Sequence, residues 1–300
     1  MTKHVALDVG RVVAGHGRHY IVETPEGARK ICHPRGKKSD CVVGDTVRWQ
    51  VTGDEGVIEQ VEPRRNLLFR QDEWKTKSFA ANLDQLLVLV AAEPVFSESQ
   101  LARALIAAEE AGIPARILLN KTDLPSIGVA RERLRPYVAM GVDVLEVALK
   151  TRVSEARALL LPLLENQATL VLGPSGTGKS TLINLLAPNA RAQVGEVSQA
   201  LNSGRHTTTS TQWYWLDDGR TTGLIDSPGF QEFGLRQVST QQLSALMPDL
   251  KVHATECKFY NCSHLHEPGC GVRAALERGD ISESRYRIYG EILGELVQRR

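Results

Sequence analysis

Two short motifs stand in an unusual order along this 300-residue chain. Gly173-Pro174-Ser175-Gly176-Thr177-Gly178-Lys179-Ser180 fits G-x-x-x-x-G-K-[ST] at every position, and Asn120-Lys121-Thr122-Asp123 lies upstream of it. Where one sheet carries both, the glycine-rich loop ordinarily comes first. With both motifs intact and their order reversed, the chain is expected to fold into a doubly wound α/β sheet whose connectivity is circularly permuted. The flanking pattern agrees. Residues 84–91, 115–119 and 169–172 are nearly continuous apolar runs, as in strands buried on both faces. Another strand is expected at 142–147, and helix periodicity covers 99–111, 129–140, 154–164 and 180–186. Residues 211–216 and 221–225 read as a hairpin across Asp217-Asp218-Gly219-Arg220.

The glycine-rich loop explains itself chemically. Its glycines let successive backbone N–H groups point at phosphate oxygens, Lys179 reaches the β- and γ-phosphates, and Ser180 offers a hydroxyl to Mg²⁺. The helix that follows adds its positive end. This loop does not choose the base. Asp123 does: a carboxylate there accepts from the N1–H and the 2-amino group of guanine, and adenine would leave it unsatisfied. Lys121 would lay its stem over the base, and Asn120 would tie this loop to the phosphate loop.

Asp226-Ser227-Pro228-Gly229 follows the apolar run Gly223-Leu224-Ile225 and matches D-x-x-G. Asp226 would hold Mg²⁺ through water, and the Gly229 N–H would face the γ-phosphate. Upstream lies Gly204-Arg205-His206-Thr207-Thr208-Thr209, where Thr208 is the favoured second Mg²⁺ ligand. The position after D-x-x-G often holds a glutamine that orients the attacking water, but here it is Phe230. His206 is the nearest polar substitute and the candidate to position water. A solvent-facing loop histidine is the alternative.

Two further regions flank the sheet. Residues 1–70 read as five short strands, at 9–13, 20–24, 29–32, 45–51 and 56–61, separated by glycine-rich turns. They suit a small barrel of the oligonucleotide-binding (OB) type. This stretch carries twelve Lys+Arg against nine Asp+Glu, whereas the whole chain has a net charge of only +1. Any nucleic-acid contact is therefore local, and a barrel without nucleic-acid affinity is the alternative. Residues 71–81 read as a polar connector, 82–235 as the nucleotide domain and 236–300 as a third module of short polar helices. That module holds Cys257, Cys262, His264 and Cys270, three thiolates and one imidazole, which is a closed tetrahedral set for structural zinc. His253 and His266 are nearby alternatives to His264. The odd count of five cysteines and the absence of an export signal at the N-terminus fit a reducing, cytoplasmic setting. No apolar run is long enough to span a bilayer, and with no long heptad pattern a monomer is expected.

Taken together, these motifs resemble the ribosome small subunit-dependent GTPase A family of circularly permuted bacterial GTPases. The likeness covers nearly the whole chain. It runs from the barrel through Ala80-Ala81-Asn82-Leu83-Asp84-Gln85, the motifs above and the cysteine cluster to Arg285-Tyr286. The resemblance implies a GTPase that binds the small ribosomal subunit and its rRNA, is stimulated by it, and assists its late maturation. It assigns guanine to Asn120, Lys121 and Asp123, phosphates to residues 173–181 including Thr181, and zinc to the Cys3His set. One departure stands out: the guanine loop usually reads Ser-Ala and here reads Val147-Ala148. The N–H of Ala148 still serves guanine O6, but a hydroxyl that would brace the loop is gone. Two other readings are an RNA-binding module with a slow regulatory nucleotide site, and an ATP-using P-loop enzyme. Asp123 argues against the second.

Overall fold

The computed structural model describes residues 7–36, 40–71, 76–188, 210–229 and 233–298. The first five strands are β1 (Asp8–His16), β2 (His19–Glu23), β3 (Arg29–Pro34), β4 (Thr46–Thr52) and β5 (Glu55–Val61). Burial alternates along them: in β4, Val47 and Trp49 are buried and Arg48 between them is exposed. That is the period-2 pattern of a strand with one face on a core. Pairing runs β1–β2–β3–β5–β4 and returns to β1, with β3 parallel to β5 and the other pairs antiparallel. This is a closed five-stranded barrel of the OB type. Gly56 is packed against the Trp49 ring and Cys32 Sγ, so a side chain there would force the indole out of the barrel core.

The expected connector at 71–81 is more ordered than its polarity suggested. β6 (Leu67–Gln71) and β7 (Thr76–Ala81) form an antiparallel ribbon. Leu68, Phe79, Ala80 and Ala81 are buried, and Phe79 stacks on Phe233 with centroids 5.7 Å apart. The apolar surface that stabilises the ribbon is supplied from far along the chain, which local pattern does not reveal.

The α/β sheet has the parallel order β10 (Val144–Glu146), β9 (Ala115–Asn120), β8 (Gln85–Ala91), β11 (Ala168–Leu172), β13 (Gly223–Asp226). β12 (Gln212–Trp215) closes the edge antiparallel to β13. Every residue of β8 and β11 is buried. Their alternate side chains feed two separate cores. Leu86, Val88 and Val90 pack in the core that includes residues of α1 (Glu98–Glu110) and α2 (Ile127–Ala139). Leu87, Leu89 and Val171 pack with residues of α3 (Val153–Leu164) and α4 (Lys179–Leu186). Covering both faces is what lets such strands read as unbroken apolar runs.

The barrel and this sheet are continuous. Ala14 of β1 pairs with Gln212 of β12, giving eleven strands in one hydrogen-bonded sheet.

The third module begins with a 3-10 turn, Leu243–Leu246, followed by α5 (Pro248–Ala254), α6 (Gly271–Arg278) and α7 (Glu283–Val297). α7 departs from the expected short polar helices. It runs 15 residues and buries Ile288, Tyr289, Ile292 and Leu293 along one stripe. Arg103 of α1, itself buried, donates to Glu295 of α7 at 2.9 Å. Arg285 of α7 binds Asp249 through both forks at 2.7 and 2.9 Å, and its guanidinium lies 5.1 Å from the centroid of the Tyr137 ring on α2. These contacts seat the module on the α/β domain. No described helix is long and apolar enough to cross a membrane.

Candidate nucleotide site and metal centre

In a parallel sheet all strands end on the same edge, and ligands bind there. Asn120 ends β9, Val147 follows β10, Gly173 follows β11 and Asp226 ends β13. Chain order is permuted, yet the spatial order of the strand ends is that of a nucleotide-binding sheet. Where the polypeptide starts does not alter which loops meet.

Asn120 is the joint of the site. It is buried; its Nδ2 donates to the Thr177 carbonyl at 2.8 Å, and its Oδ1 accepts from the Leu149 N–H at 3.1 Å. One side chain thus fixes the phosphate loop against the loop after β10. Lys121 stands at φ 62°, a left-handed backbone, and its Nζ donates to the Glu93 carbonyl at 2.6 Å and the Gly176 carbonyl at 2.9 Å. Thr122 receives Arg152 Nη2 on its hydroxyl at 2.8 Å, and Asp123 is exposed. Ala148 is buried directly beside this loop. The Val147 backbone accepts from Thr122 N–H at 3.2 Å and donates to the Leu119 carbonyl at 2.9 Å. Backbone bonds and Asn120 therefore brace a loop that lacks the serine hydroxyl.

In the glycine-rich loop, Gly176 and Gly178 have φ of 83° and 109°. A Cβ at Gly178 would collide with Asn120 Nδ2, and one at Gly173 with the Leu89 carbonyl. The loop is bent into a shape that only glycine permits at these points. Thr177 Oγ1 donates to the Pro174 carbonyl at 2.9 Å, and Lys179 Nζ donates to the Gly173 carbonyl at 2.6 Å and the Pro174 carbonyl at 3.1 Å. Ser175 and Ser180 are exposed at the mouth, and Thr181 is half-buried in the first turn of α4. Burial pushes the Lys179 ammonium below its usual range, and the Asp226 carboxylate works against that. Ser227 Oγ donates to the Val171 carbonyl at 2.8 Å, pinning the start of D-x-x-G to β11. A Cβ on Gly229 would lie 3.2 Å from Lys179 Nζ, so the backbone here closes on the phosphate-loop lysine. His206, Thr208 and Phe230 lie outside the described residues. Glu93, Leu149 and Arg152 join the site without belonging to any of its motifs. Their only sequence signal is position, just beyond β8 and β10.

The second cluster is compact. Cys257, Cys262, His264 and Cys270 bring their ligand atoms within 4.8 Å of one another. His264 Nδ1 is 3.4 Å from Cys257 Sγ and 3.5 Å from Cys270 Sγ, and those two sulfurs are 3.9 Å apart. A tetrahedral ion with metal–sulfur bonds of about 2.3 Å gives edges of about 3.8 Å, so these separations fit a metal ion at the centre. His264 is buried and takes φ 63°. Its carbonyl accepts from the Tyr286 hydroxyl at 2.7 Å, and the Ser263 carbonyl accepts from Tyr289 at 2.9 Å. α7 thus shapes the ligand loop. Cys270 also caps α6, accepting from the Arg273 N–H at 3.4 Å. Of the alternatives, His253 instead faces Glu256 at 3.4 Å.

A phosphate loop, N-K-x-D and D-x-x-G on one edge of a parallel sheet, with the chain order reversed, define a circularly permuted GTPase. The chain belongs to the RsgA GTPase family, whose model matches residues 61–236. It is 62% identical over 299 residues to the small ribosomal subunit biogenesis GTPase RsgA of Variovorax paradoxus, covering 98% of this chain and 94% of the relative. To the protein of that name from Burkholderia pseudomallei it is 52% identical, over 96% and 92%. Among solved structures, YjeQ from Thermotoga maritima superposes with a TM-score of 0.74 at 29% identity, covering 98% of this chain and 100% of that one. YloQ, described as a circularly permuted GTPase, gives 0.71 at 26% identity over 100% and 98%.

Proposed function

We propose that this GTPase hydrolyses GTP on the small ribosomal subunit and assists the biogenesis of that subunit. The observation that carries the reading is the near full-length similarity, at 62% identity, to a relative named for this role. In our reading Asp123 selects guanine, Lys121 covers the base, Thr122 closes that loop, and the Ala148 N–H meets the guanine O6. The backbone of residues 173–181 and Lys179 hold the phosphates. The Ser180 hydroxyl is a hard oxygen donor suited to Mg²⁺, Thr208 is a further ligand, and Asp226 would hold the ion through water. Bound magnesium would neutralise charge on the β- and γ-phosphates. Gly229 would present its N–H to the γ-phosphate, and His206 would orient the attacking water. With Phe230 where a glutamine often stands, intrinsic turnover is slow and depends on the partner for acceleration.

The Cys3His centre takes zinc in this reading. Three thiolates and an imidazole leave no open position, so the ion is structural. The barrel, residues 1–70, engages rRNA, and residues 236–300 form the zinc module. Depleting the protein from cells tests the role. Incompletely matured small subunits should accumulate while large subunits stay normal, and unchanged small subunits would overturn it.

A further inference from the structure

The barrel joins the nucleotide-domain sheet through β12, and that strand is half of the hairpin that carries Asp226. β12 and β13 pair along Gln212↔Asp226 to Trp215↔Gly223. On the outer side of β12, Arg11 of β1 lays its guanidinium 4.6 Å from the Trp213 ring centroid and 5.1 Å from that of Trp215. The two indoles meet edge to face at 5.1 Å. Glu23 of β2 is opposite Arg11 in register and buried. It accepts from Trp215 Nε1 at 2.6 Å and from Arg29 Nε at 2.7 Å. At the far end of the hairpin, Arg220 reaches the Pro25 carbonyl in the β2–β3 turn at 3.3 Å. The inner side is equally tight: a Cβ on Gly223 would strike the Trp213 ring. The hairpin is therefore gripped along its length by the barrel, and its inner strand ends at Asp226.

We infer that Arg11 is a positioning residue for partner-stimulated hydrolysis, acting through Trp213 and Trp215 to transmit the placement of the barrel to the β12–β13 hairpin and thence to Asp226. The inference rests on the reading that the barrel engages the small subunit. Among the described residues, Arg11 packs on Trp213 and Trp215 and on no residue of the nucleotide site. A guanidinium lying against two indole rings resists sliding in a way a plain apolar contact does not, because the ring faces and the nearby Glu23 charge both attract it. A barrel displaced on its partner drags β12 with it, because the joint has no slack. The coupling is reciprocal: if barrel placement biases the hairpin, nucleotide state must bias the clamp.

Both directions are measurable on the full chain. In the first, GTP turnover of wild type, Arg11→Ala and Arg11→Lys is followed alone and against rising small-subunit concentration. Arg11→Ala should keep unstimulated turnover and half-saturating subunit concentration within threefold of wild type, and lose at least tenfold in maximal acceleration. Arg11→Lys should recover at least half of that loss. A merely structural role would instead move half-saturation or the unstimulated rate. In the second, which needs no ribosome, the Trp215 indole N–H resonance, assigned by Trp215→Phe, is recorded with GDP and with a non-hydrolysable GTP analogue. It should shift between the two states in wild type. If subunits fail to accelerate wild type, the functional reading falls and the indole test alone decides the clamp. If Arg11→Ala does not fold, Trp215→Phe, which loses the bond to Glu23 and narrows the ring surface beside Arg11, should show the same split between acceleration and half-saturation. Full acceleration in Arg11→Ala, or an indole resonance blind to nucleotide, would overturn the inference.

Discussion

Replacing Asn120 by alanine removes a buried side chain that joins two loops of the nucleotide site. The Thr177 carbonyl then loses a 2.8 Å donor and the Leu149 N–H a 3.1 Å acceptor, both in buried surroundings. Each polar group left without its partner costs about 1–3 kcal/mol. Water entering from the open mouth of the site compensates in part, so the net penalty is about 2–4 kcal/mol. Carried wholly by nucleotide binding, this is about 30- to 1,000-fold in affinity, at about 1.4 kcal/mol per factor of ten. Whatever share falls on the protein alone lowers its melting temperature, by about 2–4 °C per kcal/mol for a domain of this size. Competition against a fluorescent GDP, together with thermal denaturation of the nucleotide-free protein, separates the two shares. Affinity and melting temperature both unchanged would refute the bridging role.

Asp123→Asn exchanges one acceptor for a donor, so GTP affinity should fall at least about a hundredfold while XTP, which carries a carbonyl in place of the 2-amino group, gains; competition binding with both nucleotides checks this. Stripping the Cys3His metal with a strong chelator should release the ligand loop, and hydrogen exchange of residues 257–270 should rise sharply while the barrel stays protected. Unchanged exchange would mean the loop holds without metal. Asp217 accepts from the N–H groups of Thr221 and Thr222 at 3.0 and 2.7 Å, and these bonds hold its carboxyl below the usual range. A depressed carboxyl stabilises the fold fully above its unfolded pKa of about 3.9, and that contribution is lost as pH falls through the folded value. The Thr221 and Thr222 amide resonances should therefore move in an acid titration, and Asp217→Asn should abolish the movement.

Much of the nucleotide site is legible because its chemistry is local. A glycine-rich turn between an apolar run and a helix, or Asn-Lys-Thr-Asp closing a buried strand, fits in a few consecutive residues. The metal ligands are legible for the same reason, since four donors fall between positions 257 and 270. What escaped is what depends on distant partners. The β6–β7 ribbon needs Phe233 to cover Phe79. The stripe on α7 needs α1 and the ligand loop. Arg11 in isolation is an ordinary strand arginine; its meaning comes from two tryptophans about 200 positions away, and no short-range pattern signals that they meet. At Val147 the serine hydroxyl is absent, and the loop keeps the backbone bonds to Thr122 and Leu119.

The most direct test is GTP turnover by the purified full chain while small ribosomal subunits are titrated in, with large subunits as the control. Strong, saturable acceleration by small subunits alone is expected. Tight GTP binding with no acceleration, or equal acceleration by large subunits, would contradict it.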